Sequence, residues 1–250
     1  MQGMTKRTGT KRGQFQDRNR KLRRGARLPK EMFKKVLARL TEVVVLGKAH
    51  LKIGSGIAKT VTADPVIANV APVFWGMSMT AHLDAAQMFA FKLFDPRRGS
   101  MTIEYLLDRV AECSQDFQNA SSSKVSSIID AARAQVSSLA TPLQPLRAKR
   151  NRILAHMDPT IVRDPERLAK ETQVRFSDLN LIFQTAGNIV NSISVAFRDI
   201  SSILELIGDT DYQGAVQLIV DAKHAQVDRF EKEFKQPADF PRPNSPRTPW

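Results

Sequence analysis

Apolar residues recur every three or four positions along most of this chain. The longest such run begins at Phe176 and reaches Ile207, and Gly208 follows it where a helix would need a C-terminal cap. This spacing puts apolar side chains on one face of a helix, and no stretch alternates apolar and polar residues long enough to predict a strand. The sequence therefore predicts an all-α fold, a helical bundle of about six helices.

Glycines, prolines and polar clusters divide this pattern into helices and connections. Gly47, Gly54 and Gly56 leave the segment 47–58 undecided, because glycine weakens a helix interior. The segment 158–171 is predicted to be a charged connection. Helices are predicted from Pro29 onward, over about 72–94, from Ser100 or Thr102, over about 125–139, from about 142 to 156, over about 175–207 and from about 210.

The two ends of the chain differ in composition from its middle. Eleven of the 38 Lys and Arg lie in the first 30 residues beside a single acid, Asp17, so ten of the thirteen net positive charges belong there. Residues 236–250 hold five of the thirteen prolines and cannot continue a helix. We therefore expect a basic disordered tail over 1–28, one helical domain over 29–235 and a Pro-rich tail over 236–250.

The basic tail is a candidate nucleic-acid-binding segment. A run of cations with few apolar residues attracts polyanions by counterion release, without selecting a base sequence. The same composition also fits a solvated tail with no specific task. The candidate phosphate-binding residues in it are Lys6, Arg7, Lys11, Arg12, Arg18, Arg20, Lys21, Arg23, Arg24 and Arg27.

Composition also limits the compartment and the cofactors. The single cysteine, Cys113, cannot form an intramolecular disulfide and is expected to pack in the protein. The N-terminus opens with charge, unlike a secretory signal, and the longest uncharged run, 66–81, is shorter than the ~20 apolar residues of a membrane span. We expect a cytoplasmic protein that does not enter membranes. Paired-cysteine metal spacings, glycine-rich phosphate loops and Gly-x-Ser-x-Gly elbows are missing from the sequence, so no metal and no cofactor are expected.

A basic helical segment that ends in a histidine remains. Its centre is Arg150-Asn151, followed by His156. This arrangement is similar to the Arg-polar…His motif of HEPN domains, and the surrounding Arg-Asn-x-x-x-Ala-His-x-Asp string resembles the abortive-infection, or phage-resistance, branch of that superfamily. Upstream, Leu93-Phe94-Asp95 and the helix that follows it resemble the same branch, so the likeness covers roughly 30–235. The chain departs from the pattern at Met157, where the branch often has an arginine that could contact phosphate.

The resemblance implies a metal-independent endoribonuclease that works as a homodimer, with the motifs of two chains meeting in a cleft, in a toxin or phage-defence role. His156 would move the proton of the RNA 2′-hydroxyl, because histidine titrates near neutrality. Arg150 would neutralise the phosphate as charge develops. Asn151 would orient the imidazole, contact the phosphate or face solvent.

Helix geometry complicates this assignment. At about 100° per residue, Arg150 and His156 are about 120° apart around an α-helix, whereas Lys149 and Arg152 lie nearly on the face of the histidine. Either the helix end unwinds, or the partner chain supplies the missing group, or Arg152 shares the role. Arg150 is the first choice by motif and Arg152 the second by geometry, and Lys149 and Arg152 are further candidate RNA contacts.

Two functions of other classes fit the same residues. The chain could be a non-catalytic helical interaction module of this fold, with an antitoxin or a nucleotidyltransferase as partner. It could also be a nucleic-acid-binding protein that acts through its basic tail. A basic helix end with a histidine is, in addition, a common arrangement, because cations there interact favourably with the helix dipole.

Overall fold

The computed structural model describes residues 28–97, 99–154, 160–202, 204–205 and 211–235, which form helices and connections without a strand. The all-α prediction is confirmed. The α-helices of this part of the chain are α1 (Lys30–Ala63), α2 (Pro65–Val70), α3 (Pro72–Leu93), α4 (Ile103–Glu112), α5 (Ser122–Ser138), α6 (Ala140–Lys149), α7 (Thr160–Arg163), α8 (Pro165–Thr172), α9 (Phe176–Arg198) and α10 (Asp211–Lys235).

Short polar side chains define where several helices begin. The Thr102 hydroxyl accepts a hydrogen bond from the Tyr105 N–H at 3.2 Å, so Thr102 rather than Ser100 caps α4. Ser121 accepts from the Lys124 N–H at 3.3 Å and caps α5. Each cap satisfies an N–H group that has no partner inside the helix. The predicted positions of these two helices are confirmed.

The undecided segment around the three glycines is helical, because α1 runs through it. A Cβ at Gly47 would overlap the ring of Phe183 on α9. The glycine therefore allows a close approach between two helices that a larger side chain would prevent. This packing compensates for the weak helix propensity of glycine at that position.

Helix α9 ends earlier than its apolar pattern predicted. Asp199 adopts a left-handed conformation with φ of 59°, and its N–H donates to the Val195 carbonyl, which closes the helix after Arg198. The Asn191 side chain then bonds the backbone of Ser202, donating to its carbonyl at 3.2 Å and accepting from its N–H at 3.0 Å. The prediction of one helix as far as Ile207 is wrong, and Gly208 lies outside the described residues.

The segment beyond 158 also differs from its prediction. Its described part, from residue 160, contains α7 and α8 instead of an irregular connection. Asp164 caps α8 by accepting from the Arg167 N–H at 3.2 Å, and Leu168 is buried. One buried leucine in a charged stretch gave too weak a periodic signal to predict a helix.

The chain forms two compact units. The first contains residues 28–51 and the described residues between 85 and 205, and its core includes the edge-to-face rings of Phe33, Phe117 and Phe197 with centroids 4.8–5.9 Å apart. Cys113 is buried in this unit, which agrees with the packing role expected for it. The boundaries of the proposed 29–235 domain and its two tails stay a prediction, since nearly all of both tails lies outside the described residues.

The second unit contains residues 52–84 and 211–235. Its core contains Ile57, Ile67, Trp75 and Val220, and the Trp75 indole N–H donates to the Ile67 carbonyl at 3.0 Å. Across the parts of the chain that the structure describes, none of the helices combines the length and apolarity of a membrane span.

Candidate functional site

The candidate site begins where α6 changes its geometry. The α-helix ends at Lys149, and Arg150–Leu154 continue it as a π-helical turn with wider i→i+5 bonding. A π-turn holds more residues per turn than an α-helix, so the angle of about 120° between Arg150 and His156, worked out for a regular α-helix, does not apply past Lys149. His156 and the candidate residues of the basic tail, Lys6 to Arg27, lie outside the described residues.

Arg150 and Asn151 are held together at the start of this turn. The Arg150 Nη1 donates to the Asn151 Oδ1 at 2.9 Å. The Arg150 guanidinium carbon lies over the Phe91 ring, 5.1 Å from its centroid, and Phe91 is buried near the end of α3. A cation over an aromatic face is attracted by the ring quadrupole. Two predicted residues are thus adjacent, and Phe91 orients the guanidinium of the first.

A buried carboxylate, that of Asp95, lies close enough to Arg150 to be influenced by its charge. Asp95 follows α3, and its side chain is only 5% exposed. The Arg97 Nε donates to Asp95 Oδ1 at 3.0 Å and to Oδ2 at 2.7 Å, the Arg97 Nη2 donates to Oδ2, and the Arg97 backbone N–H donates to Oδ1 at 3.0 Å. Arg97 thereby forms a bidentate pair with Asp95 at the first turn after the helix.

The electrostatics keep Asp95 charged. Burial raises the pKa of Asp95, but the hydrogen bonds from Arg97 and the charges of Arg97 and Arg150 lower it by more, so the carboxyl titrates below its usual range. At neutral pH one carboxylate therefore faces two guanidinium groups. The cluster of Phe91, Asp95, Arg97 and Arg150, which we call the arginine cluster, has one net positive charge.

Arg152 has a different environment. Its Nη1 bonds Glu171 on α8, and the same carboxylate accepts from the Arg167 Nε at 2.8 Å. The hydrogen bond from Arg167, with a further one from Arg152, holds the pKa of Glu171 below its usual range. Arg152 is thus engaged in an ion-pair network, whereas Lys149 is half-buried at the end of α6. The structure does not bring Arg152 to the arginine cluster.

Sequence reasoning missed Phe91 and Arg97 as site residues and treated Asp95 only as part of the resemblance. The Asp95-Pro96-Arg97 turn contained a usable signal, because an aspartate two residues before an arginine can accept from its backbone and side chain at once. The contact of Phe91 with Arg150 had no comparable signal. Among the described residues, no group of three or more His, Cys, Asp or Glu is arranged to hold a metal ion.

Comparison with known proteins found a match to one family model. No curated protein and no solved structure matches this chain. The family model HEPN_AbiU2, described as AbiU2, matches residues 65–218. The matched range contains both segments that suggested the resemblance, the one ending at Asp95 and the one from Arg150 to His156. Since the match covers more than half of the sequence, the chain belongs to the AbiU2 family, in the abortive-infection branch of the HEPN superfamily.

Proposed function

We propose that this protein is a metal-independent endoribonuclease that acts as a toxin or phage-defence effector in the cytoplasm. One observation carries the proposal most directly. Arg150 is half-buried, oriented by Phe91 and bonded to Asn151, and it stands six positions before His156 in a chain of the AbiU2 family. An arginine held in this way is suited to bind a charged ligand, because little side-chain freedom is left to lose on binding.

The chemistry follows from the two side chains. RNA cleavage without a metal proceeds by attack of the 2′-hydroxyl on the adjacent phosphorus, which needs a base for the hydroxyl proton and a cation for the developing charge. In the proposal His156 moves that proton. Arg150 has five N–H donors, of which one goes to Asn151, and the structure assigns the others no acceptor among the residues that it describes, so in the proposal they bind phosphate oxygens.

The proposal includes a homodimer in which the motifs of two chains face one cleft. A second chain would contribute another Arg150 and His156 to the same substrate. Sedimentation at micromolar concentration is expected to give a mass near twice 28.0 kDa. An active protein that stays monomeric would contradict the homodimer. It would mean that one chain cleaves RNA by itself.

The test is cleavage of varied RNAs with a chelator present, comparing the wild-type protein with His156→Ala. We expect the variant to lose ~10²–10⁴-fold in rate, the usual contribution of a general acid or base, while its helix content is retained. His224→Ala is the matched control, since His224 belongs to the second unit and pairs with Asp64 at 3.2 Å. If wild-type protein leaves every RNA intact, or if His156→Ala cuts equally well, the nuclease proposal fails. The non-catalytic module, with an antitoxin or nucleotidyltransferase partner, then becomes the better hypothesis.

The charge of the N-terminal segment favours a second function, RNA binding through the tail. Residues 1–28 hold ten Lys and Arg and one acid. Each phosphate that they neutralise adds about 0.7 to the slope of log affinity against log salt for a single strand. Deleting 1–28 should therefore lower that slope by several units, with deletion of 236–250 as control. An unchanged slope would show that the tail does not contact RNA.

A further inference from the structure

A second arginine, Arg97, lies near the same ring as Arg150. The Arg97 guanidinium carbon is 6.0 Å from the centroid of the Phe91 ring, over which Arg150 lies at 5.1 Å. The two guanidinium groups are therefore within about 11 Å of each other, although they come from the turn after α3 and from the end of α6. The site presents a pair of cations around one buried ring.

Arg97 retains donors for a ligand after it has bound Asp95. The bidentate pair uses its Nε–H and one Nη2–H, so three of its five N–H donors have no acceptor within the described part of the chain. Its side chain is 61% exposed, whereas that of Asp95 is 5% exposed. The carboxylate therefore fixes the inner edge of the guanidinium, and the outer edge faces solvent.

Asp95 does not depend on the Arg97 side chain alone. It also accepts from the Arg97 backbone N–H at 3.0 Å and from the Ser100 hydroxyl at 3.5 Å, and it lies in the field of Arg150. The exposed Arg97 guanidinium is therefore one of several partners of this carboxylate. It also leaves the arginine cluster with positive charge, which attracts an anion.

We propose that Arg97 is a second phosphate-binding residue beside Arg150, positioned by Asp95, so that neighbouring phosphates of one RNA strand contact the two guanidinium groups. The inference rests on the proposed function, since it takes RNA as the ligand. A single strand has a phosphate at every nucleotide, so a strand held at Arg150 brings further phosphates close to Arg97. Asp95 is a positioning residue and does not contact the RNA.

The test measures RNA binding instead of cleavage. The probe is an oligouridylate of about 12 nucleotides, within the ~4–16 that a single-strand site spans. Full-length protein with His156→Ala, which leaves the probe intact, is titrated at several salt concentrations. Arg97→Gln is expected to weaken binding about tenfold at low salt and to reduce the salt slope by about 0.7. A purely structural role for Arg97 would leave the slope unchanged, because no phosphate contact is lost.

Arg133→Gln is the matched control. Arg133 is an exposed arginine of the same unit and pairs with Asp108 at 3.1 Å. Its substitution is expected to leave the slope unchanged. If Arg97→Gln alone does not fold, the double variant Asp95→Asn with Arg97→Gln avoids an uncompensated carboxylate and is compared with Asp95→Asn, again with an expected slope difference of about 0.7.

The outcomes separate this inference from the proposed nuclease. A slope that stays the same in both comparisons, or a His156→Ala protein with Arg97 intact that does not bind the probe, overturns the role of Arg97. Cleavage by wild-type protein with an unchanged slope means that the nuclease proposal holds without Arg97. The expected slope change without any cleavage supports the phosphate contact while the nuclease proposal fails.

Discussion

The Arg150 guanidinium lies on the face of the Phe91 ring, with 5.1 Å between the guanidinium carbon and the ring centroid. Phe91 is 6% exposed, so a rigid core residue supports this contact. The N–H donors of a guanidinium lie in its own plane, and an aromatic ring attracts the cation as a whole. The contact therefore fixes the position of the charge and leaves donors for a phosphate.

This contact predicts that Phe91→Leu lowers RNA cleavage. A cation–π contact contributes ~0.5–2 kcal/mol, which corresponds to a loss of about two- to thirtyfold if it acts mainly on the transition state. The measurement is kcat/KM on one RNA, with the melting temperature recorded beside it. Phe183→Leu is the control, because Phe183 is fully buried in the same unit, and it is expected to reduce stability while cleavage is retained. Equal activity of the two variants would contradict the role of Phe91.

The network around Glu171 predicts how the two candidate arginines differ. Arg152 is bonded to Glu171, so it would have to leave this carboxylate to bind a phosphate. We expect Arg150→Ala to cost ~10²–10³-fold in cleavage, as loss of a transition-state donor does, and Arg152→Ala to cost much less. The ion pair of Arg152 with Glu171 is partly exposed, so water and salt screen it and its contribution to stability is small.

The variant Glu171→Gln provides a second test of whether Arg150 or Arg152 binds the phosphate. It keeps the shape of the side chain and weakens its hold on Arg152 and Arg167. If Arg150 is the phosphate ligand, cleavage by this variant should match that of the wild type. Faster cleavage by Glu171→Gln, together with a larger loss in Arg152→Ala than in Arg150→Ala, would transfer the role to Arg152.

The lowered pKa of Asp95 predicts a pH dependence of stability. A carboxyl whose pKa is lower in the folded state stabilises the protein above its ordinary value of 3.8, and this contribution disappears as the pH falls through the folded-state pKa. Asp95→Asn removes it. In urea unfolding, the variant should therefore be less stable than wild type at pH 7, and the difference should shrink as the pH falls below 3.8. A difference that stays constant with pH would contradict an ionic role for Asp95.

Two glycines predict opposite effects of the same substitution. Gly47→Ala places a Cβ against the Phe183 ring, and overpacking of this kind typically costs ~1–3 kcal/mol. Gly76→Ala, also inside a helix, meets no atom within 4 Å and should stabilise the protein by up to about 1 kcal/mol through helix propensity. Urea unfolding of both variants measures the two effects. Similar shifts for both would show that the Phe183 ring moves aside without cost.

The end of α9 shows how apolar periodicity can mislead. The pattern continues past Arg198, but Ile200 is 49% exposed. A Cβ at Gly187 would lie 2.8 Å from the Leu204 side chain, so Leu204 packs back against α9 after the helix has ended. Apolar spacing alone does not show where a helix ends, because a chain that returns along its own helix can keep that spacing without helical hydrogen bonds.

The sequence by itself determined the all-α class, a cap for α4 at Ser100 or Thr102, and the resemblance to the abortive-infection branch of the HEPN superfamily. These features depend on residues close together in the chain, where helical spacing and capping hydrogen bonds act.

Only the tertiary structure decided which residues surround Arg150. The Asp95–Arg97 pair is local, but α3 and the turn after α6 must both fold before Phe91 and Asp95 meet Arg150. The environment of Arg152 also depends on tertiary packing, because its hydrogen-bond partner Glu171 lies on α8. Attraction between charges and rings depends on distance in space, and a position in the sequence does not specify that distance until the helices have packed.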